Sequence, residues 1–185
     1  PRAAEANERS RRRIDRVASP SVASYINRSI NARCDRCRSI RKGRVINIWK
    51  KTLKNPENHL VIVLDLEQNT AFDSLAKKVH DHFGQIDYLF NNGGLSQRSN
   101  ARDTPIEVDR RIMEINYFGN VALTKAVLPY MEKQGSGHIA VISSIAGKFG
   151  FFLRSAYSAS KHALHGFYES LRLEEEQYGI NVDRK

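Results

Sequence analysis

The sequence has little cysteine, and both residues of that type lie in one short motif. Cys34 and Cys37 are the only two cysteines among 185 residues. A structural zinc site needs a second pair or nearby histidines, and the nearest histidine is His59. A redox motif of this kind would follow a strand and begin a helix, whereas this one is set among arginines. The sequence therefore favours two free thiols over a metal or redox centre.

Long apolar runs are also absent. The longest, such as residues 60–64, reach five or six residues, whereas a membrane span needs roughly 18. The N-terminus is positively charged but has no apolar stretch behind it, which argues against a secretory signal. We therefore expect a cytoplasmic protein, or a membrane-associated one whose anchor lies outside this chain.

Acidic residues are scarce in the first quarter of the chain. Residues 1–51 hold 15 Lys or Arg against 4 Asp or Glu, whereas residues 52–185 hold 15 against 16. Apolar residues in the basic part keep no steady period, and residues 45–48 are its one strand-like stretch. Such a composition is typical of a disordered or loosely helical segment. We therefore expect a leader over residues 1–50 and a folded core over residues 51–185.

From residue 60 onward, short apolar runs alternate with helical patterns. Pro129 is expected to kink the second of three predicted helices. Strands are predicted at residues 60–64, 86–90, 138–143 and 180–182, and helices at residues 72–83, 106–133 and 157–178. Strands that alternate with helices form right-handed units around a parallel sheet. The predicted fold class is therefore α/β, with a doubly wound parallel sheet.

Polar or glycine-rich groups follow each of the first three predicted strands. Asp65 follows the first, Asn91-Asn92-Gly93-Gly94 the second, and Ser143 and Ser144 the third. Open α/β sheets bind ligands at the carboxyl ends of their strands, and glycines let the backbone approach a flat ligand closely. The glycine pair alone is more typical of an ordinary turn. The convergence of all three groups on one edge predicts a ligand site.

Tyr157 and Lys161 are four residues apart within the third predicted helix. That spacing puts both side chains on one face, one turn apart. An ammonium near a phenol favours the phenolate, which would make Tyr157 usable as a general acid or base near neutral pH. The pattern is weak by itself, because an ordinary exposed helix pair has the same spacing.

Together these motifs resemble the short-chain dehydrogenase/reductase family, in a subgroup similar to 11-beta-hydroxysteroid dehydrogenase. The motif Asn91-Asn92-Gly93-Gly94, then Asn116, Ser144 and Tyr157-Ser158-Ala159-Ser160-Lys161, stand in the order and spacing of that family. Ser144 precedes Tyr157 by thirteen residues, as in the subgroup. The match covers roughly residues 61–182.

The resemblance implies a Rossmann-like sheet and an NAD(P)-dependent oxidoreductase. The reaction would interconvert a secondary alcohol and a ketone or aldehyde by hydride transfer, on a small-molecule substrate. The cofactor would be NAD or NADP, with NADP favoured by the subgroup, and the protein would form a homodimer or homotetramer. The implied catalytic residues are Asn116, Ser144, Tyr157 and Lys161, and the implied cofactor-binding residues are Asp65, Leu66, Asn91, Gly93, Tyr157 and Lys161.

The sequence departs from the family at both ends, which predicts a truncated chain. The family opens with a strand and a glycine turn that cradles the cofactor pyrophosphate at a helix N-terminus. Gly43 is the only glycine before Gly84, and it lies among cations. The first two family strands are therefore not recognisable, nor are the C-terminal strands. We expect an incomplete sheet with a gap in its middle, and weak binding of either dinucleotide.

Other features are interpreted more simply. His162 and His165 are expected on a helix surface rather than at a metal, and Glu174-Glu175-Glu176 on a solvated helix face. The apolar stripe of Ile112, Ile115, Leu123 and Val127 is expected to be core or subunit interface. The alternative function is a non-catalytic binding protein whose arginine-rich leader contacts an anionic surface or nucleic acid. Against it, the leader has no interleaved aromatic residues for base stacking.

Overall fold

One six-stranded sheet organises the part of the chain that the computed structural model describes, namely residues 22–25, 29–33 and 60–185. The strands are β1 (Val22–Tyr25), β2 (Ser29–Arg33), β3 (Val61–Val63), β4 (Tyr88–Asn92), β5 (Gly137–Val141) and β6 (Ile180–Arg184). Their order is β3-β1-β2-β4-β5-β6. Strands β2, β4, β5 and β6 are parallel to their neighbours in that set, whereas β1 is antiparallel to both β2 and β3. The α/β class predicted from the sequence is confirmed.

The β1–β2 pair occupies the middle of the sheet, although it comes from the basic N-terminal segment. The sequence predicts no folded element there and a gap between β3 and β4. At these nine residues the structure differs, because Val22 pairs with Val63 and Arg33 with Asn92. A gap would leave two strand edges with unpaired N–H and C=O groups, which pairing satisfies. The remainder of residues 1–59, including residues 45–48, lies outside the described residues, so the division into leader and core stays a prediction.

The described residues form four α-helices: α1 (Phe72–Phe83), α2 (Ile106–Met113), α3 (Gly119–Gln134) and α4 (Ser155–Glu175). Helix α1 shows why the apolar spacing works, because its buried residues recur every three to four positions: Phe72, Leu75, Ala76 and Val79. It ends at Gly84, whose φ of 79° lies in the left-handed region that favours glycine. Helix α1 packs against α3, and α4 packs against α2 and β6.

One π-helical turn, Glu114–Phe118, joins α2 to α3. The sequence predicts a single helix here with an irregularity at Pro129, which lies inside α3. The π-helical turn was not predicted, because no residue pattern in the sequence indicates one. The Asn120 side chain supplies hydrogen bonds to backbone carbonyls of this turn. Its Nδ2 donates to the carbonyl of Ile115 at 3.2 Å and to that of Asn116 at 2.8 Å. Such turns are frequent at functional sites.

The core fills the space between the sheet and the helices. The predicted apolar stripe is confirmed as core, with Ile112, Ile115, Leu123 and Val127 at most 6% exposed. The expected solvated face at the end of α4 is wrong for one residue, because Glu175 is only 7% exposed. No helix in residues 60–185 is both long enough and apolar enough to cross a membrane.

Candidate active site

Tyr157 and Lys161 form a partly buried pair on α4 rather than an exposed helix contact. Lys161 is 5% exposed, and its Nζ lies 5.8 Å from the centroid of the Tyr157 ring. The same Nζ donates to the carbonyl oxygen of Ile142 at 2.7 Å. Burial lowers the pKa of Lys161 to about 8, because desolvation disfavours the ammonium. The pair thus places a phenol beside an amine that gives up its proton at a lower pH than an ordinary lysine does, yet remains mostly protonated at pH 7.

Asn116 lies in the π-helical turn and ties the loop after β4 to α4. The side chain is fully buried. Its Oδ1 accepts the N–H of Leu95 at 2.6 Å, while its Nδ2 donates to the Leu95 carbonyl at 2.8 Å and to Ser160 Oγ at 2.9 Å. Ser160 Oγ in turn donates to the carbonyl of Tyr157. The loop after β4, the π-helical turn and α4 therefore meet at Asn116.

The glycine pair after β4 brings the backbone close to Asn116 and Lys161. A Cβ added at Gly94 would lie 3.0 Å from Asn116 Oδ1 and 3.8 Å from Lys161 Nζ. The preceding Gly93 is buried, and its carbonyl accepts from Asn120 Nδ2 at 3.2 Å. The turn at Gly94 is therefore a cradle that a single methyl group would fill.

Ser144 begins the 3-10 turn Ile145–Gly147 that follows β5. Its Oγ accepts the N–H of Ala146 at 3.2 Å, and the residue is half-buried. A hydroxyl that accepts in this way keeps its own O–H to donate. The neighbouring Ser143 instead shares a hydrogen bond with His165 Nε2 at 2.7 Å. Of the two serines predicted at this strand end, Ser144 has the freer hydroxyl.

The Asn91 side chain lies among helix residues rather than at the predicted site. It is 1% exposed, and its Nδ2 donates to Thr124 Oγ1 and to the Tyr168 hydroxyl, each at 2.8 Å. Burial raises the pKa of Tyr168 well above its ordinary value. The Oδ1 of Asn91 is buried without a hydrogen-bond partner. The expected contact between Asn91 and a cofactor stays a prediction that its side chain does not support.

Asp65 and Leu66 lie at the carboxyl end of β3, as predicted. Asp65 is half-buried and its Oδ1 accepts the N–H of Glu67 at 3.1 Å. Leu66 is 1% exposed and packs against Gly119, where an added Cβ would lie 2.8 Å from Leu66 Cβ. Three strand spacings separate β3 from β4, roughly 14 Å in total. The structure therefore places Asp65 and Leu66 on the same edge as Lys161 but does not bring them together.

Sequence reasoning missed two residues that contact Tyr157 in the first turn of α4. Gln97 is 9% exposed and accepts the N–H of Tyr157 through Oε1 at 3.1 Å. The guanidinium carbon of Arg154 lies 5.7 Å from the centroid of the Tyr157 ring. Gln97 and Tyr157 are 60 positions apart in the chain, so no local spacing could have revealed the contact.

The described residues hold no group of three or more His, Cys, Asp or Glu side chains that could bind a metal ion. His162 is exposed as expected, and its Nδ1 lies 2.8 Å from the Ser158 carbonyl. His165 is half-buried, because it reaches back to Ser143. Cys34 and Cys37 lie outside the described residues.

Comparison with known proteins adds to this geometry. Residues 36–184 match the family described as short chain dehydrogenase. The chain belongs to that family. The family match begins within the predicted leader, so residues 36–50 have a counterpart in short chain dehydrogenases.

The similar proteins include relatives from animals and two solved structures. A dehydrogenase/reductase SDR family protein 7-like of Drosophila melanogaster is 49% identical over 122 residues, which cover 66% of this chain and 37% of that protein. The dehydrogenase/reductase SDR family member 7B of Xenopus tropicalis is 42% identical over 151 residues, covering 80% and 49%. The chain thus spans less than half the length of these curated relatives.

Two solved structures have a similar fold over part of this chain. A short-chain dehydrogenase from Streptomyces avermitilis superposes with a TM-score of 0.71 at 33% identity, covering 78% of this chain and 52% of that one. An NAD+-bound xylitol dehydrogenase superposes with a TM-score of 0.65 at 32% identity, covering 66% and 48%. The described sheet is therefore a partial short chain dehydrogenase fold of the Rossmann type.

Proposed function

We propose that this chain carries the Ser-Tyr-Lys site of an oxidoreductase that interconverts a secondary alcohol and a ketone or aldehyde. The observation that carries the proposal is the buried Lys161 amine, held by the Ile142 carbonyl and placed beside the Tyr157 ring. Burying an ammonium costs free energy. A buried cation can stabilise the ionised form of a phenol that lies beside it. Such a pair suits proton transfer near neutral pH.

Each residue of the site has a separate part in this proposal. Tyr157 gives a proton to the substrate oxygen in reduction and takes it back in oxidation. Ser144 donates its O–H to the same oxygen and orients it, as a donor aimed at developing charge does. Lys161 stabilises the Tyr157 phenolate. Asn116 holds the loop after β4 against α4. By resemblance to the family, it would also order a water in a proton relay behind Lys161.

A nicotinamide cofactor fits the described residues at its ribose end. A side chain at Gly94 would crowd Asn116 Oδ1, which lies 3.0 Å from the position of an added Cβ, and the Lys161 amine lies beside the same turn. We propose that Lys161 holds the nicotinamide ribose, that Gly93 lies against the adenosine side of the cofactor, and that Asp65 and Leu66 flank the adenine. A spacing of roughly 14 Å across the strands suits an extended dinucleotide. When bound, the cofactor supplies the hydride chemistry.

The choice between NAD and NADP, and the contacts to the cofactor pyrophosphate, rest on the comparisons and the sequence rather than on the described residues. The NAD+ of the solved xylitol dehydrogenase supports the cofactor class, and the subgroup resemblance favours NADP over NAD. The predicted weak binding rests on the missing glycine turn, and Gly43 lies outside the described residues. Calorimetric titration of the whole chain with NADPH and NADH tests this. Stoichiometric binding of either would mean that residues before β3 do cradle the pyrophosphate.

We also propose that two copies of the chain pair through the helices on either side of the site. Phe118 on the π-helical turn is 49% exposed, and Leu173 on α4 is 67% exposed. Exposed apolar side chains that form one contiguous patch mark an association surface, and we propose that Phe118 and Leu173 belong to such a patch. Sedimentation velocity should show a dimer or tetramer, and a monomer at all accessible concentrations would contradict this part of the proposal.

A dehydrogenase assay tests the reaction itself. The whole chain is incubated with NADPH or NADH and a panel of ketones and aldehydes, and loss of the reduced dinucleotide is followed by absorbance. We expect carbonyl-dependent turnover with at least one dinucleotide, supplied at concentrations high enough to offset its predicted weak binding. If neither is consumed and neither binds in the titration, the oxidoreductase proposal fails for this chain, and the non-catalytic alternative takes its place.

A further inference from the structure

Helix α4 begins without a cap from its own sequence, although its first turn carries Tyr157. Arg154 occupies the N-cap position and makes no side-chain capping hydrogen bond, and the first turn has no acidic residue. The first backbone N–H groups of a helix have no partner inside it. Because Ala156 and Ser158 on either side of Tyr157 are buried, an unsatisfied N–H here would lack water as a substitute.

Gln97, in the loop after β4, supplies the missing acceptor. Its Oε1 accepts the N–H of Tyr157 at 3.1 Å, and its Nε2 lies 3.5 Å from Ser155 Oγ. Both ends of the Gln97 amide are therefore directed at the first turn of α4. With the residue only 9% exposed, the amide is not presented to a substrate.

The same loop makes two further contacts with the segment that enters α4. The N–H of Ser99 donates to the carbonyl of Leu153 at 3.1 Å, and the guanidinium of Arg154 donates to Ser96 Oγ. Leu153 has a φ of 63°, a left-handed conformation that a leucine adopts only when its surroundings hold it. The loop after β4 therefore fixes where α4 begins.

We propose that Gln97 is a positioning residue for Tyr157. From the loop after β4, Gln97 caps α4 and so holds the Tyr157 phenol in register with Lys161. The inference rests on the proposed function for its catalytic meaning. Tyr157 is reached from two directions, since Lys161 is anchored to β5 through Ile142 while the Tyr157 backbone is anchored to the loop after β4. A small shift of a reacting group can lower a rate about 10²-fold.

Two substitutions of Gln97 in the whole chain test the cap. Gln97→Met keeps the length of the side chain but removes the acceptor, whereas Gln97→Glu keeps an acceptor oxygen at the same place. The first readout is hydrogen exchange at the Tyr157 amide, with the amides of Leu164 and Tyr168 in the middle of α4 as internal controls. We expect exchange at Tyr157 to rise about 10-fold or more in Gln97→Met and to stay near the native rate in Gln97→Glu.

The second readout is turnover in the dehydrogenase assay. Gln97→Met should lower kcat about 10-fold with little change in KM for the dinucleotide, and Gln97→Glu should restore most of it. Unchanged exchange at Tyr157 in Gln97→Met, or a Gln97→Glu variant as impaired as Gln97→Met, would overturn the inference. If Gln97→Met does not fold, Gln97→Asn, which is one methylene too short, replaces it. Absence of turnover in the native chain would sink the proposed function alone, because exchange at Tyr157 still decides the cap.

Discussion

Lys161 joins α4 to the end of β5 through one hydrogen bond, from its Nζ to the carbonyl oxygen of Ile142 at 2.7 Å. The same amine lies beside the Gly94 cradle that follows β4. One buried cation thus ties the helix that carries Tyr157 to the end of β5 and lies beside the turn that follows β4. The residues around Lys161 contribute both to the proposed chemistry of the site and to the stability of the fold. Separate substitutions can distinguish these two contributions.

Tyr157→Phe should abolish turnover without loosening the structure. The change removes one phenolic oxygen, and with it the proposed proton donor, while the ring keeps its packing. Loss of a general acid or base lowers a rate about 10²–10⁴-fold. Steady-state kinetics of the whole chain measure kcat, and urea unfolding measures stability. Tyr178→Phe is the matched control, because Tyr178 is 43% exposed and distant in sequence from the site. Retention of most of the native kcat would refute the role of Tyr157.

Lys161→Met should change how stability depends on pH. The pKa of Lys161 is lowered from 10.5 to about 8 in the folded chain. Between those two values the unfolded chain holds a proton that the folded chain has released, so the free energy of unfolding rises with pH through that window. Below about pH 8 the burial penalty is fully present. The gain should reach about 1–3 kcal/mol and should be missing in the variant.

The comparison that isolates Lys161 is the difference between the two unfolding curves, because all other groups titrate in both proteins. Urea unfolding at several values between pH 7 and 10 supplies it. The native chain should gain stability relative to Lys161→Met as the pH rises. Two parallel curves would mean that the amine is not buried as described.

Tyr168→Phe should destabilise the core without touching the reacting groups. The Tyr168 hydroxyl receives a hydrogen bond from Asn91 Nδ2 and shares one with Thr124 Oγ1 at 2.7 Å. Removing it leaves buried polar groups with fewer partners, which costs about 1–3 kcal/mol. Urea unfolding at neutral pH checks this. A change below about 0.5 kcal/mol, the usual effect of a surface substitution, would contradict the observed network.

Sequence reasoning succeeded where one segment determines its own structure. The end of α1 at Gly84 and the buried apolar stripe that includes Leu123 both follow from local residue spacing. The one-turn separation of Tyr157 and Lys161 does so too. The misses are long-range or depend on context. Pairing of β1 between β2 and β3 joins distant segments through backbone groups that every residue has, so no residue pattern marks it.

The same limit applies to individual polar residues. The contact of Gln97 with Tyr157 spans 60 positions. Burial of Glu175 depends on how α4 lies against its neighbours, and a run of three glutamates by itself indicates only a solvated face. The candidate site residues were predicted from sequence by strand-end position, helical spacing and a family resemblance, whereas the residues that support them became visible only in the fold.

Glu175→Gln should stabilise the chain at neutral pH. Glu175 is 7% exposed, and its Oε2 is buried without a hydrogen-bond partner. Burial, with help from the carboxylates of Glu132 and Glu174, raises the pKa of Glu175 above its ordinary value. At pH values between the unfolded and the folded pKa, the folded chain therefore holds a proton that the unfolded chain has already lost. Stability from this group is present below the unfolded pKa and is lost as the pH rises through the folded pKa.

A neutral amide at position 175 keeps the shape of the side chain but has no charge to bury. We expect Glu175→Gln to raise the free energy of unfolding at pH 7 by about 1 kcal/mol, the scale of one unsatisfied buried group. The difference should shrink toward zero below about pH 4, where the glutamate is protonated in both states. Glu174→Gln serves as the control, because Glu174 is exposed and its replacement should remove only a repulsive neighbour. Equal gains from the two substitutions, or a gain from Glu175→Gln that persists at low pH, would show that burial of the Glu175 carboxylate is not the cause.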